Sequence, residues 1–303
     1  MKLSHNPGRA GLLPLLGGAL LISFSSIMVK VAQVGPTAAG FYRVLFGGGA
    51  LLAVLLVRRK KLIYGRRHLL GTLLAGFFFF LDLAFWHRSI NYVGPGLATI
   101  LANFQVFFMS GAAILFFGEK PTPRLILAVV LSVVGLLMIV GPDWNLLGPD
   151  YRQGVWLGIV TALCYTAYIL SLRQIGGMDP QPPPTATMAL VSLACALFMI
   201  PEVLRQGESW VIPDPESWAA LLGLGLGCHA LGWGLITAGL PKISPSKTAL
   251  ILLLQPTCAF IWDLLFFARP TGPVEGLGAA LTLGAIYMGL AGRTARPAEK
   301  VRE

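Results

Sequence analysis

The chain has 303 residues, of which 55% are hydrophobic and only 12% are Asp, Glu, Lys or Arg. A typical soluble domain devotes about a quarter of its residues to these four types, because its whole surface faces water. The composition therefore excludes a soluble globular protein and predicts an all-α integral membrane protein. The net charge of +10 does not indicate a nucleic-acid partner, because the basic residues lie in short gaps between apolar runs rather than in a stripe.

Apolar runs of about 20 residues, the length that crosses a bilayer as a helix, follow one another along the chain. Turn signals such as Gly35-Pro36, Gly94-Pro95 and Pro213-Asp214-Pro215 separate them. The first run is too long for the core of a signal peptide and lacks a small-x-small cleavage site, so we expect it to be retained as a span. The ten predicted spans are 11–33, 37–57, 69–88, 94–117, 123–140, 153–172, 184–204, 217–239, 246–267 and 273–292.

The distribution of Lys and Arg predicts the orientation of these spans. If the N-terminus is cytoplasmic, most of the basic residues, including those of the loop 58–68, fall on the cytoplasmic side. An even number of spans returns the C-terminus to that side. We therefore expect the tails 1–10 and 293–303 to lie in the cytoplasm.

The two halves of the chain repeat one pattern. A shift of 150 residues lays Gln105 on Gln255, and similar shifts align other parts of the halves in the same order. Each copy holds five predicted spans, so the copies, residues 11–140 and 153–292, must have opposite orientations in the membrane. Two inverted five-helix repeats are typical of transporters whose halves rock about a site near the bilayer midplane.

Several kinds of chemistry are not indicated by the sequence. Each of the four cysteines falls within an apolar run and no two have the spacing C-x-x-C, so they are predicted to be small buried hydrophobic residues. The patterns of a P-loop, of an H-E-x-x-H metal site and of a G-x-S-x-G nucleophile are absent. We therefore expect no cofactor, no metal, no direct use of ATP and no enzymatic activity.

The ordered motifs of the chain resemble the EamA branch of the drug/metabolite transporter superfamily. The matching residues are FSSIMVK at 24–30, Phe41-Tyr42-Arg43, FFGEKPT at 116–122, Leu254-Gln255-Pro256 and FFARPT at 266–271. The resemblance implies ten helices in two repeats, a bacterial inner membrane and export of amino acids or related metabolites. The chain departs from the family pattern in two places. Ala268 stands where many family repeats carry a glutamate, and the second repeat has no counterpart of Arg43.

Polar side chains within the spans are the candidates for substrate contact. A buried acid at the centre of a span costs roughly 2.5–3.5 kcal/mol on insertion scales, so such groups tend to face protein or a wet cavity. Polar and aromatic residues at helical spacing share faces on the third, sixth and eighth spans, and amides occupy the middle of the fourth and ninth. The predicted substrate-binding residues are Asp82, Trp86, Asn103, Gln105, Tyr165, Tyr168, His229, Trp233 and Gln255.

Each candidate also has a purely structural interpretation. Asp82 could pair with a neighbouring helix, His229 could donate a hydrogen bond between helices, and the aromatic residues could simply pack. Lys30, Arg43 and Arg88 are placed near span ends, where snorkelling explains them without a substrate role.

Transport also has rival interpretations. A carrier of nucleotide sugars or of other phosphorylated metabolites would need several basic residues at mid-depth, and here the basic residues cluster at span ends. A carrier of drugs stays open. A membrane-embedded enzyme would group its polar residues at one membrane surface, and here they are dispersed. We therefore expect as partners a small-molecule substrate and the lipid bilayer, with no nucleic acid, and the sequence permits a monomer.

Overall fold

The computed structural model describes residues 7–140, 149–267 and 272–291, and within these ranges it contains helices and no strand. The predicted tails lie mostly outside these ranges, as does the end of the second-repeat motif at 268–271. The helices are α1 (Pro7–Ser23), α2 (Ser25–Val31), α3 (Pro36–Val57), α4 (Arg66–Asn103), α5 (Gln105–Phe117), α6 (Pro123–Val140), α7 (Pro149–Gly176), α8 (Pro184–Gln206), α9 (Pro215–Leu222), a π-helix (Gly223–Trp233), α10 (Gly234–Gly239), a 3-10 turn (Leu240–Lys242), α11 (Pro245–Leu252), α12 (Leu254–Phe267) and α13 (Pro273–Ala291).

Proline marks where many of these helices begin, among them α3 at Pro36, α8 at Pro184 and α11 at Pro245. Its fixed φ suits the first helical turn, where its missing N–H leaves no hydrogen bond unmade. The break predicted at Gly94-Pro95 is wrong, because α4 continues through it to Asn103. A proline within a membrane helix removes one backbone hydrogen bond, and neighbouring groups can compensate for that loss.

Helices long and apolar enough to cross a membrane confirm a multi-pass membrane protein. By length and composition the described residues contain six of them: Ala10–Val31, Pro36–Val57, Arg66–Ile90, Asp150–Gly176, Pro184–Gln206 and Pro215–Lys242. Three shorter apolar helices cover Leu101–Phe117, Pro123–Gly135 and Gly276–Gly289. Exposed apolar side chains such as Leu115 and Phe116 on α5 fit contact with lipid.

Small residues let the helices approach closely. The main pairs are α4 with α7 and α8, α3 with α8 and the π-helix, α6 with α13, α5 with α11, and α1 with the π-helix and α10. A Cβ atom at Gly18 on α1 would lie 2.5 Å from the carbonyl oxygen of Gly232, and one at Gly135 on α6 would lie 2.6 Å from that of Gly278. Small-residue contacts of this kind are the usual means of helix association in a membrane, where lipid competes for apolar contact.

Three of the apolar segments are interrupted by a single tight turn, at Phe24, Phe104 and Leu253. At each position ψ lies between −9° and −12°, and the backbone N–H bonds the carbonyl three residues earlier, at 3.1–3.3 Å. This is the geometry of a 3-10 turn, which interrupts the regular i to i−4 ladder. The turns at Phe104 and Leu253 are 149 residues apart, close to the shift that relates Gln105 to Gln255.

Candidate functional site

A cluster of stacked rings lies at the centre of the bundle and joins α4, α7 and the π-helix. The ring centroids of Phe79 and Tyr168 are 4.5 Å apart, those of Tyr168 and Trp233 are 4.9 Å apart, and those of Phe79 and His229 are 5.8 Å apart. All four side chains are at most 2% exposed. We call these four residues the ring cluster, and the polar groups described next lie beside it.

Both glutamines that follow a helix break lie against one turn of α7. The hydroxyl oxygen of Tyr165 accepts a hydrogen bond from Nε2 of Gln255 at 3.3 Å. One residue later, the hydroxyl of Thr166 donates to the carbonyl of Ala162 at 2.9 Å and lies 3.4 Å from the backbone carbonyl of Gln105. Tyr165 also packs against Trp233, with ring centroids 6.1 Å apart. The side-chain amide of Gln255 and the backbone of Gln105 therefore lie at the edge of the ring cluster, and the side-chain oxygen of Gln105 is buried without a partner among the described residues.

His229 forms a hydrogen bond between helices, as its structural interpretation requires. Its Nε2 atom lies 2.7 Å from the hydroxyl oxygen of Ser192 on α8, and that hydroxyl in turn bonds the carbonyl of Met188. Because the serine has one proton and gives it to the carbonyl, Nε2 of His229 must be the donor. Its Nδ1 atom is buried without a partner among the described residues.

Asp82, Trp86 and Asn103 lie beyond the ring cluster along α4. Asp82 is one turn from Phe79, is only 8% exposed, and forms no hydrogen bond or ion pair with any residue that the structure describes. Trp86 is half-buried against His87, with ring centroids 5.3 Å apart. Asn103 is half-buried and is the last residue before the turn at Phe104.

Arg43 is a candidate that the sequence reasoning missed. It lies seven residues into α3, at a depth of about 10 Å, and its Nε atom is buried without a partner in the described ranges. The residue as a whole is half-buried. Its distance from Pro36 was the available signal, since a cation two turns inside a span is too deep to count as a terminal residue.

A cavity of about 380 Å³ lies where the apolar part of α4 ends, α7 begins and α8 ends. Its lining residues are Arg88, Tyr92, Gln153, Leu157, Arg205 and Gln206, and none of the nine predicted site residues is among them. We call this the cavity end of the bundle. Behind its wall, the buried carboxylate of Glu202 accepts hydrogen bonds at 2.6–3.0 Å from Arg88, Arg205 and Gln206.

The opposite end of the bundle is tied together by Arg173 on α7. Its guanidinium donates to the backbone carbonyl of Leu240 at 2.6 Å and to that of Ile243, and it lies 5.4 Å over the ring of Phe117 on α5. We call this the tied end. From α7, one cation therefore contacts both α5 and the turn between α10 and α11.

The described residues contain no group of three His, Cys, Asp or Glu that could hold a metal ion. What they contain is a set of apolar spans around a polar and aromatic centre, with a cavity at one end. Polar groups placed in this way within a membrane protein are typical of solute carriers.

Comparison with protein families gives the class of carrier. A family model described as the EamA-like transporter family matches the chain twice, over residues 9–141 and 152–290. The chain therefore belongs to the EamA-like transporter family, and the resemblance drawn from its motifs is confirmed.

Curated relatives carry the names of transporters rather than of enzymes. An "Uncharacterized transporter" of Archaeoglobus fulgidus is 24% identical over 283 residues, which are 92% of this chain and 96% of that protein. A "Probable amino-acid metabolite efflux pump" of Escherichia coli K12 is 23% identical over 233 residues, covering 73% and 76% of the two chains. A solved structure titled "Crystal structure of protein" superposes with a TM-score of 0.78 at 16% identity, covering 93% of this chain and 96% of that one, which shows a shared fold.

Proposed function

We propose that this transporter exports amino acids or related small polar metabolites from the bacterial cytoplasm through the inner membrane. The observation that supports the proposal is the hydrogen bond between the amide of Gln255, near the start of α12, and the hydroxyl of Tyr165, which packs against Trp233. Amides can pair with a carboxylate or an ammonium group, and the rings accept an apolar side chain. The name of the Escherichia coli relative, a probable amino-acid metabolite efflux pump, agrees with this solute class.

The proposed architecture is ten spans in two inverted repeats, 11–140 and 153–292. In that architecture, spans one to five correspond in order to spans six to ten. Exchanging the two halves leaves three observed helix pairs unchanged: span two with seven, span four with nine, and span five with ten. It converts the pair of spans three and six into the pair of spans eight and one, which is also observed. Ser132 and Thr282, 150 residues apart, are joined across α6 and α13 by a hydrogen bond of 3.4 Å. A pseudo-two-fold axis between these helices would bring such counterparts together.

The proposed mechanism is alternating access, with both termini in the cytoplasm. The tied end would then face the cytoplasm and the cavity end the opposite side. The turns at Phe104 and Leu253 interrupt regular helix hydrogen bonding beside the glutamines, so α5 and α12 can tilt there without breaking a continuous ladder. In this proposal the nine predicted residues Asp82, Trp86, Asn103, Gln105, Tyr165, Tyr168, His229, Trp233 and Gln255 form or support the solute site.

The proposal is tested by efflux from proteoliposomes loaded with each of the twenty labelled amino acids, with and without a pH gradient. At least one amino acid should leave faster than from vesicles without protein. Replacing Gln255 by Leu removes the bond to Tyr165, and we expect it to slow that efflux about tenfold, the usual cost of one lost polar contact to a substrate. Gln174→Leu, at an exposed position of α7, should stay within twofold. Equal rates with and without protein for all twenty amino acids would refute the solute class.

A further inference from the structure

Two opposite charges on neighbouring helices lie unpaired at the same depth of the bundle. Arg43 on α3 and Asp82 on α4 form no ion pair with each other or with any other described residue. An unpaired charge within a membrane protein is costly, so its persistence at such a depth needs a compensating role.

The contacts of two glycines show where the side chain of Arg43 emerges. A Cβ atom at Gly40 would lie 3.3 Å from Cε1 of His87, and one at Gly47 would lie 2.5 Å from Cδ2 of His229. Arg43 stands between these glycines on the same face of α3, since residues three and four apart on a helix are neighbours. Arg43 therefore lies between the levels of the two histidines, on the face of α3 that packs against them.

The same two histidines bracket Asp82. On α4, Asp82 lies between Phe79, which stacks on His229, and His87, which faces Gly40. The two helices run in opposite directions, so the order of contacts along α3 is the reverse of the order along α4. Arg43 and Asp82 are consequently at about the same level along the two helices.

The groups that a ligand would meet are a guanidinium and a carboxyl group. Guanidinium groups bind carboxylates through two parallel hydrogen bonds, and carboxylates accept bonds from ammonium groups. A phosphorylated solute would leave Asp82 facing a like charge, whereas an α-amino acid offers each side chain its complement. The aromatic residues next to this pair can accept the solute's own side chain.

Resting on the proposed function, we infer that Arg43 binds the α-carboxylate and Asp82 the α-ammonium group of the transported amino acid. Arg43 is thus a specificity-determining residue, since it selects a solute with a carboxylate over the corresponding amine. Asp82 in turn selects against the corresponding acid that lacks an amino group.

Three matched solutes test the two roles separately. The probes are phenylalanine, 2-phenylethylamine and 3-phenylpropionate, with leucine, isoamylamine and 4-methylpentanoate as an aliphatic set. Binding is measured by ligand-induced thermal stabilisation of the purified full-length protein, and flux by proteoliposome efflux. Arg43→Gln should weaken binding of the amino acid about tenfold or more and leave the amine within threefold. Asp82→Asn should weaken the amino acid similarly and leave the deaminated acid within threefold.

Selectivity within one variant separates a binding role from misfolding, because a misfolded protein would lose all three probes. Arg43→Lys, which keeps the charge but not the bidentate geometry, should recover part of the affinity, and Arg58→Gln at the exposed end of α3 should change nothing. The inference is overturned if wild type binds no amino acid of either set, or if Arg43→Gln leaves amino-acid binding unchanged. It is also overturned if both variants weaken all three probes equally, which would indicate a structural ion pair. If the wild type transports an amino acid and the Arg43→Gln variant transports it at the same rate, this binding site is refuted while the proposed function still stands.

Discussion

The two ends of the bundle are held by different kinds of bond. At the tied end, Arg173 donates to main-chain carbonyls of a 3-10 turn, so its bonds exist only while that turn keeps its position. At the cavity end, Glu202 accepts hydrogen bonds from side chains of α4 and α8. The difference is that the bonds of Arg173 have main-chain acceptors on another segment, whereas those of Glu202 are made by side chains beside an open space.

The largest effect is expected when Arg173 is replaced by Gln. The carbonyls of Leu240 and Ile243 lose a charged donor, and the cover over Phe117 is lost, so the tied end should open. A single cysteine replacing Thr248, a buried residue of α11 near that end, reports the opening in a protein whose native cysteines have been removed. An impermeant thiol reagent should label it about tenfold faster in the Arg173→Gln variant, as expected for the loss of about 1.4 kcal/mol or more of closure energy.

The matched control for this comparison is Arg124→Gln. Arg124 lies on α6 and also donates to a main-chain carbonyl, that of Met288 at 2.7 Å, but this bond is exposed. Exposed bonds contribute little because water replaces them, so labelling at position 248 should change less than twofold. Equal acceleration by both substitutions would mean that Arg173 has no special part in holding the end closed.

A smaller effect is expected at the cavity end from Glu202→Gln. The neutral amide keeps the shape of the side chain but weakens its bonds to Arg88 and Arg205, which are themselves partly exposed. We expect a loss of roughly 2 kcal/mol, or a fall in melting temperature of several degrees, with labelling at position 248 unchanged. Thermal unfolding in detergent measures this change, with the exposed Glu216→Gln as control. Faster labelling of position 248 in the Glu202→Gln variant would show that a change at the cavity end also opens the tied end.

The sequence predicts the class and the positions of most helices because both depend on local patterns. Apolar length identifies the spans, and prolines such as Pro36 and Pro184 mark their starts. Gly94-Pro95 misled because a proline in a membrane helix can be compensated by neighbours that the sequence does not identify. Six helices among the described residues are long and apolar enough to cross a membrane. The count of ten spans therefore stays a prediction.

The candidate site was harder to predict because its geometry depends on contacts between distant segments. Periodicity placed Tyr165 and Tyr168 on one face, but the bond from Gln255 to Tyr165 joins residues 90 positions apart. Arg43 was treated as a terminal cation because charge alone does not indicate depth or partners. The cavity is lined by residues such as Gln153 and Leu157, whose positions near helix ends gave no pattern that singled them out.

Side-specific labelling at both ends tests alternating access most directly. A cysteine replacing Leu157, in the wall of the cavity, and one replacing Thr248 are each labelled with an impermeant reagent in sealed vesicles, with and without saturating phenylalanine or leucine. Without solute, the cysteine at position 157 should be labelled and the one at position 248 protected. A solute that the protein transports should slow labelling at position 157 and accelerate labelling at position 248. Two results would contradict a carrier that opens to one side at a time. One is labelling rates at both positions that do not change when a transported solute is added, and the other is rapid labelling of both positions at once.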